Sequence, residues 1–303
     1  MQNRITLNLK TLIDNEKPHF LLAVSGGIDS MVLLNFFQKN HESFTFSVAH
    51  INHNYHSDSK KMENLVKNQC DKMNSDLIIE NIFLKEINSN IESNFRKMRY
   101  NKLEEIRKRI KADFILTAHH ADDQVETILM KILNSSGVEG LQGLRKLNQN
   151  IIRPMFNISK REISDYASLK NVKFIDDPTN CDDLFTRNFL RMNVIPQLKK
   201  IKNDIHIPFN NFTDRIDEVH DLITFNVQNF CNSDSYIVRE NTIEINKSEF
   251  YTLPFLVQLR IISNLCFNAK NSFSKTDIRE IKDLFRKNLS GSSKVVNLSL
   301  IHI

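Results

Sequence analysis

Little in this chain suits cross-linking or a membrane. Its 303 residues hold four cysteines, Cys70, Cys181, Cys231 and Cys266, far apart and with no Cys-x-x-Cys among them. That pattern fits reduced, unpaired thiols, and it argues against a zinc or iron-sulfur site built from them. No uninterrupted apolar run approaches the length of a bilayer span, and Met1 to Lys10 lacks the apolar core of a signal peptide. The expected location is therefore the cytoplasm, without a membrane partner. Excess charge is also scarce: 41 Lys and Arg against 36 Asp and Glu leave +5, which permits nucleic-acid binding without arguing strongly for it. Apolar content of 41% and charged content of 25% are those of an ordinary folded protein, and the length suggests one large α/β domain plus a smaller unit.

What is present centres on residues 19 to 30. An apolar run of strand type, Phe20 to Val24, passes through Ser25-Gly26-Gly27 into a helical pattern, Met31, Val32, Leu34 and Phe37, with Asp29 and Ser30 at its first turn. A strand, a tight glycine loop and a helix suit a phosphate. Glycine lets the backbone approach a ligand closely, while unpaired N–H groups and the positive end of the helix dipole face an anion. No Gly-Lys-Ser/Thr follows, so this is not a Walker loop; it carries a carboxylate instead. Asp29 would repel a triphosphate unless a cation stood between them, so the reading includes Mg²⁺. The plain alternative is a strand-to-helix turn with Asp29 or Ser30 as N-cap.

Strand and helix then alternate. Phe44 to Ile51 reads as a strand, followed by a helix capped by Ser57 or Asp58 and running to about Asp76. Leu77 to Phe83 is a third strand, residues 91 to 110 a basic helix, Phe114 to Thr117 a fourth strand, and Asp122 to Leu133 a helix. Such alternation calls for parallel strands with right-handed crossovers and a ligand crevice at their carboxyl ends. Ser25 to Ser30, His50 to His53 and His119 to Asp123 each follow a strand, so all three groups should share one edge. His119 and Asp123, four apart, share a helical face, with Glu126 and Thr127 a turn further on. They lack a third ligand at a usual metal spacing; capping by Asp122 or Asp123 beside a surface histidine is the simple alternative.

Further on, Ser159 and Glu162 form a capping-box pattern, and Asp176 to Asn180 is a turn-rich loop. Arg187 and Arg191 lie one helical turn apart, where they could grip phosphates or pair with Asp176, Asp177, Asp182 or Asp183. From about 199 to 230 the apolar residues fall at helical spacing. A strand pair follows, Tyr236 to Val238 and Ile243 to Ile245, then helices around Phe255 to Phe267 and Asp277 to Arg286.

Two strings carry a family resemblance. Ser-Gly-Gly-Ile-Asp-Ser at 25 to 30 resembles the signature loop of the ATP pyrophosphatases, which cleave ATP between its α and β phosphates and place AMP on a substrate oxygen. Together with Thr117-Ala-His-His-Ala-Asp-Asp-Gln-Val-Glu-Thr127, it resembles the tRNA(Ile)-lysidine synthases, which attach lysine to C2 of the cytidine at the first anticodon position. His50-Ile-Asn-His53, Arg96, Arg99-Tyr100, Gly137, Gly140-Leu141, Gly143, Ile152-Arg153-Pro154, Asp177-Pro-Thr-Asn180, Arg187-Asn188 and Arg191 agree in order, over residues 19 to 198. Two positions depart from the pattern. Asn134-Ser135-Ser136 stands where Arg-Gly is common, and Asn52 where an aspartate is frequent.

The resemblance implies a Rossmann-like parallel sheet of the adenine nucleotide alpha hydrolase type, followed by a helical linker and a small, mostly helical domain. The divisions expected are 1–198 for ATP binding and catalysis, 199–230 for the linker and 231–297 for tRNA or substrate binding. It further implies ATP and Mg²⁺ as cofactors, with Ser25, Gly26, Gly27, Ile28, Asp29 and Ser30 holding the nucleotide and Asp29 meeting the metal. Catalytic roles fall to Arg99, His119 and Asp123, and substrate or tRNA contacts to Arg96, Glu126, Arg153, Asn180, Arg187 and Arg191. The partners implied are a tRNA(Ile) with a CAU anticodon and free L-lysine; a homodimer is compatible with the sequence. The enzyme would be a ligase forming a carbon-nitrogen bond. A tRNA-thiolating relative and an inactive tRNA-binding fragment are the alternatives. Finally, Leu298 to Ile303 is the translation of CTGTCTCTTATACACATC, which resembles a transposon-end adapter, so residues 298–303 are expected to be foreign to a natural chain that continues.

Overall fold

The computed structural model describes residues 1–13, 17–54, 58–83, 91–176, 186–239 and 243–269, with backbone only at 91–93 and 265–269. The chain divides into two units, Met1–Asp214 and Arg215–Ile303.

In the first unit, helix α1 (Gln2–Leu12) precedes β1 (His19–Ala23), α2 (Ile28–Lys39), β2 (Thr45–Asn52), α3 (Ser59–Lys72), β3 (Leu77–Asn81), α4 (Ile91–Arg109) and β4 (Phe114–Leu116). Then come α5 (Ala121–Leu133), α6 (Val138–Leu141), β5 (Leu147–Asn148), β6 (Ile151–Ile152), α7 (Lys160–Leu169) and α8 (Thr186–Phe189). A π-helical turn, Leu190–Val194, leads into α9 (Ile195–Ile201), and α10 (His206–Cys231) crosses the division between the units. The six strands lie in the order β3-β2-β1-β4-β6-β5. All neighbours are parallel except β5 with β6, an antiparallel edge that the alternation of strand and helix does not announce.

β1 is apolar from Phe20 to Ala23, where both its faces are covered. Phe20, Leu22 and Val24 pack with Ile5 and Leu9 of α1, with α2 and α3, and with Ile163, Tyr166 and Ala167 of α7. Leu21 points the other way, to Ala49, Ile115 and Leu103 and Ile106 of α4. Aromatic rings fill the first layer, Phe20 lying 5.7 Å from Phe37 and Phe37 5.1 Å from Phe44. Phe20 and Phe37, fully buried, each contribute about 1.5–3 kcal/mol. The helix expected to reach Asp76 stops at Lys72, where Asn74 turns into the left-handed region at φ 48°.

Register fixes the site. Ala23 of β1 pairs with Ala49 of β2, and Leu22 with Leu116 of β4, so the chain leaves all three strands on one edge. Because β2 and β4 flank β1, the sheet reverses its winding there and opens a crevice.

In the second unit, β7 (Tyr236–Val238) and β8 (Ile243–Ile245) pair antiparallel, followed by α11 (Lys247–Thr252) and α12 (Phe255–Ala269). Phe230, Tyr236 and Phe250 form a ring cluster, and Val257 and Ile261 of α12 are buried. Among the described residues no helix is long and apolar enough to cross a membrane. The helix expected at Asp277 to Arg286 and the tail 298–303 lie outside the described residues.

Candidate active site

The loop after β1 is held from within. Gly26 takes φ 99°, and a Cβ there would meet that of Met62 at 3.0 Å, so glycine is required on two counts. The buried hydroxyl of Ser30 accepts from the backbone N–H groups of Ser25 (3.1 Å) and Gly26 (3.2 Å) and donates to Gly27 O (2.9 Å). Ser25 Oγ lies 3.1 Å from Ser30 Oγ. Gly27 is the N-cap of α2, so the first-turn N–H groups of Ile28 and Asp29 face outward, available to a phosphate.

Asp29 faces the crevice with its side chain 30% exposed, and Lys160 Nζ lies 2.5 Å from its Oδ1. The imidazole of His120, fully enclosed, stands 3.7 Å from Asp29 Oδ1 and 3.6 Å from Asp123 Oδ2. His120 is the N-cap of α5, and its backbone N–H donates to Asp123 Oδ2 at 2.9 Å. Asp122 fastens other elements: its Oδ2 accepts from the backbone N–H of Lys160 at 2.6 Å, and its Oδ1 pairs with Lys199 of α9. Against the upward push of burial, Lys199 and the Lys160 N–H hold the Asp122 carboxyl below its usual range.

One turn along α5, Glu126 is enclosed and binds two guanidinium groups. Arg187 Nε lies 2.8 Å from Glu126 Oε2 and its Nη2 3.2 Å from Asp123 Oδ1, while Arg191 Nε lies 2.6 Å from Glu126 Oε1. Arg187 and Arg191 thus pair with helix α5. Asp177, Asp182 and Asp183, offered as partners by proximity in sequence, lie outside the described residues, as does Asn180. Burial pushes Asp123 up, but His120, His119, Arg187 and the His120 N–H outweigh it and hold this carboxyl far below the usual range.

Beyond α5 the charge changes sign. Arg96 and Arg99 lie over the ring of Tyr100, at 5.2 and 5.6 Å from its centre, and Arg153 is buried with Nη1 donating to Arg145 O at 2.5 Å. Burial lowers Arg99, with Arg96 and Arg187 adding to the effect and Tyr100 opposing it. Burial lowers Arg153 too, again with Arg96 adding to it. Among the described residues, Arg96, Arg99 and Arg153 have no carboxylate at ion-pair distance. They face His119, whose Nδ1 is 2.8 Å from Thr117 Oγ1. Burial, with Arg153, Arg96 and Arg99, pushes the His119 imidazole down to about 3 despite Asp123. The imidazole is therefore neutral in ordinary buffers.

On the β2 side, His50 Nδ1 donates to Val24 O at 2.9 Å, bracing the exit of β1, and burial lowers its pKa. Asn52 donates to Glu63 Oε2 at 2.7 Å. A carboxylate in place of this amide would oppose Glu63. Lys60 and Asn52 together hold Glu63 below its usual range.

The crevice thus brings together the loop, His119, Asp123, Glu126, Arg187 and Arg191, with Arg96, Arg99 and Arg153 acting on the same histidine. Two members were missed from sequence. Lys160 sits 131 residues from Asp29, and nothing in its local pattern marks it. His120, adjacent to the chosen His119, could have been found by noticing that residues preceding Asp122 and Asp123 must cap the helix. Among the described residues no group of three or more His, Cys, Asp or Glu is placed to hold a metal ion. Asp29 faces the crevice as a single carboxylate, the donor that an ion such as Mg²⁺ takes together with the phosphates of a nucleotide, though the Lys160 ammonium on it would have to move aside.

Comparison with known proteins agrees with this geometry. The model of the PP-loop domain matches residues 1–198, and the chain belongs to that family of ATP-binding proteins. Its relatives include the tRNA(Ile)-lysidine synthase of Thermosipho africanus, 34% identical over 223 residues and covering 71% of this chain and 52% of that one. The enzyme of the same name from Wigglesworthia glossinidia brevipalpis is 38% identical, covering 61% of this chain and 49% of the other. That of Clostridioides difficile is 27% identical, covering 96% and 64%. The chain thus spans about half to two-thirds of the length of these curated relatives. A U34-tRNA thiolase from Methanococcus maripaludis shares the fold, with a TM-score of 0.59 at 16% identity over 71% of this chain and 77% of that one. Family membership implies the use of ATP.

Proposed function

We propose that this chain ligates lysine to C2 of the cytidine at the first anticodon position of a tRNA(Ile) with a CAU anticodon. In this reading the cytidine O2 attacks the α-phosphorus of ATP, pyrophosphate leaves, the ε-amine of lysine attacks the adenylated C2, and AMP departs. The observation that supports it best is the cluster of Arg96, Arg99 and Arg153, all acting on His119 beside the first turn of α5. Three cations with no carboxylate at ion-pair distance among the described residues suit two phosphate-bearing substrates meeting at one place.

The residues divide the work. N–H groups at the start of α2 hold the phosphate chain, and Arg99 stabilises charge on the reacting phosphate. His119, kept neutral, serves as a hydrogen-bonding group that orients the nucleotide; so low a pKa makes it a poor proton acceptor. Asp123 orients His120 and Arg187. Glu126, Arg187 and Arg191 shape the acceptor side, with Arg96 and Arg153 meeting tRNA phosphates. Mg²⁺, held by Asp29, would neutralise phosphate charge when bound. Residues 1–198 form the catalytic part and 231–297 serve the tRNA. A cytidine in an anticodon loop is unpaired, so it enters the crevice without melting a helix.

The test is incubation of the purified chain with ATP, Mg²⁺, lysine and unmodified tRNA(Ile), followed by nucleoside mass spectrometry. Lysidine formed only when ATP and lysine are both present is the expected result. AMP and pyrophosphate without lysidine would keep the ATP chemistry and move the acceptor elsewhere, thiolation included. Neither product would leave a tRNA-binding fragment.

A further inference from the structure

Lys160 is the first residue of α7, and its backbone is fixed from outside the phosphate loop. Ser159 and Glu162 cap the helix reciprocally, with Ser159 N–H donating to Glu162 Oε2 at 3.0 Å, and Asp122 accepts the Lys160 N–H at 2.6 Å. From that anchor the side chain reaches Asp29 at 2.5 Å. The ion pair is a weak contributor to folding, since the side chains are 40% and 30% exposed and water screens them. Its placement is the informative part. The ammonium lies at the mouth of a loop whose outward N–H groups already suit an anion, beside the one loop carboxylate that would repel it.

We propose that Lys160 is a pyrophosphate-binding residue. It occupies Asp29 while the loop is empty, then turns to the β and γ phosphates when the nucleotide arrives with its own cation. A flexible stem and a point charge suit that exchange better than a guanidinium fork would. This assignment rests on the reading above only in that ATP is cleaved between its α and β phosphates.

Titration calorimetry of the full chain with pyrophosphate in saturating Mg²⁺ tests it. Lys160→Gln should weaken binding by at least about tenfold, as loss of a charge-assisted contact does. Lys160→Arg should stay within about threefold of the parent, because it restores the charge. Pyrophosphate bound as tightly by Lys160→Gln as by the parent, or more tightly, would overturn the assignment and reduce Lys160 to a competitor for Asp29. Should the glutamine variant fail to fold, acetylation of lysines in the parent chain, read by mass spectrometry, answers the same question. Mg²⁺ with pyrophosphate should slow modification of Lys160 at least several-fold, and unchanged modification would overturn the proposal. Lysidine formation with pyrophosphate binding independent of Lys160 would remove this assignment alone. Lys160-dependent binding in a chain that makes no lysidine would support it and remove the reading above.

Discussion

Glu126 and Arg191 meet at two points, Arg191 Nε on Oε1 at 2.6 Å and Nη2 on Oε2 at 3.0 Å, with the glutamate only 1% exposed and the arginine 38%. A carboxylate so enclosed is tolerable only while its cations stay in place. Glu126→Gln should therefore leave Arg187 and Arg191 underpaired. A fully buried pair loses about 3–5 kcal/mol when one partner goes. Screening at the half-open Arg191 reduces the expectation to about 2 kcal/mol, a fall in Tm of roughly 4–8 °C. Thermal unfolding followed by circular dichroism measures it.

His119 sets a pH dependence of stability with a definite sign. Its folded pKa is pushed down to about 3, well below the ordinary histidine value. As pH falls below about 6.5 the unfolded chain takes up a proton that the folded chain refuses, so stability drops with falling pH until about pH 3. Denaturant titrations of the parent and of His119→Gln between pH 7 and 5 should show the parent losing more stability, by up to about 1.4 kcal/mol per pH unit. Equal losses would mean that the imidazole is not held neutral.

Gly26→Ala should damage the phosphate loop in two ways. It puts a Cβ on a residue at φ 99° and drives it against Met62. A strain of about 1–3 kcal/mol is expected. Either the loop or α3 must shift, so affinity for a non-hydrolysable ATP analogue should fall along with Tm. An unaltered affinity would show that the loop tolerates another shape.

Asn52→Asp should destabilise this chain. The amide now donating to Glu63 becomes a second carboxylate. The pair's folded pKa then rises above its unfolded value, so the deficit is full at neutral pH and fades as pH falls below about 5. We expect about 1–2 kcal/mol at pH 7, the cost of an unsatisfied buried acceptor. Glu63→Gln in the same chain should recover most of it.

Much of the fold was legible locally. The strand pair Tyr236–Val238 and Ile243–Ile245 stands where alternation put it, and the Ser159–Glu162 capping box forms as the spacing indicated. Those signals act over a few residues. Helix α1 went unread, because Ile5, Leu7 and Leu9 alternate as a strand would while only Ile5 and Leu9, one turn apart, are buried. Within the crevice, residue types could be named but not their partners. The contacts of Lys160 with Asp29 and of Arg191 with Glu126 span more than sixty positions, which only the folded sheet brings together.

Ser30 closes its own loop from inside, with the Ser25 and Gly26 N–H groups on its hydroxyl. The conformational freedom of that segment has therefore been lost at folding, when the core around β1 and α2 forms, and not at the moment a nucleotide arrives. Association then needs only the rearrangement of water, of mobile ions and of the Lys160 side chain, so the backbone at the entrance to the crevice behaves as a preset mould whose occupancy follows salt more closely than main-chain motion.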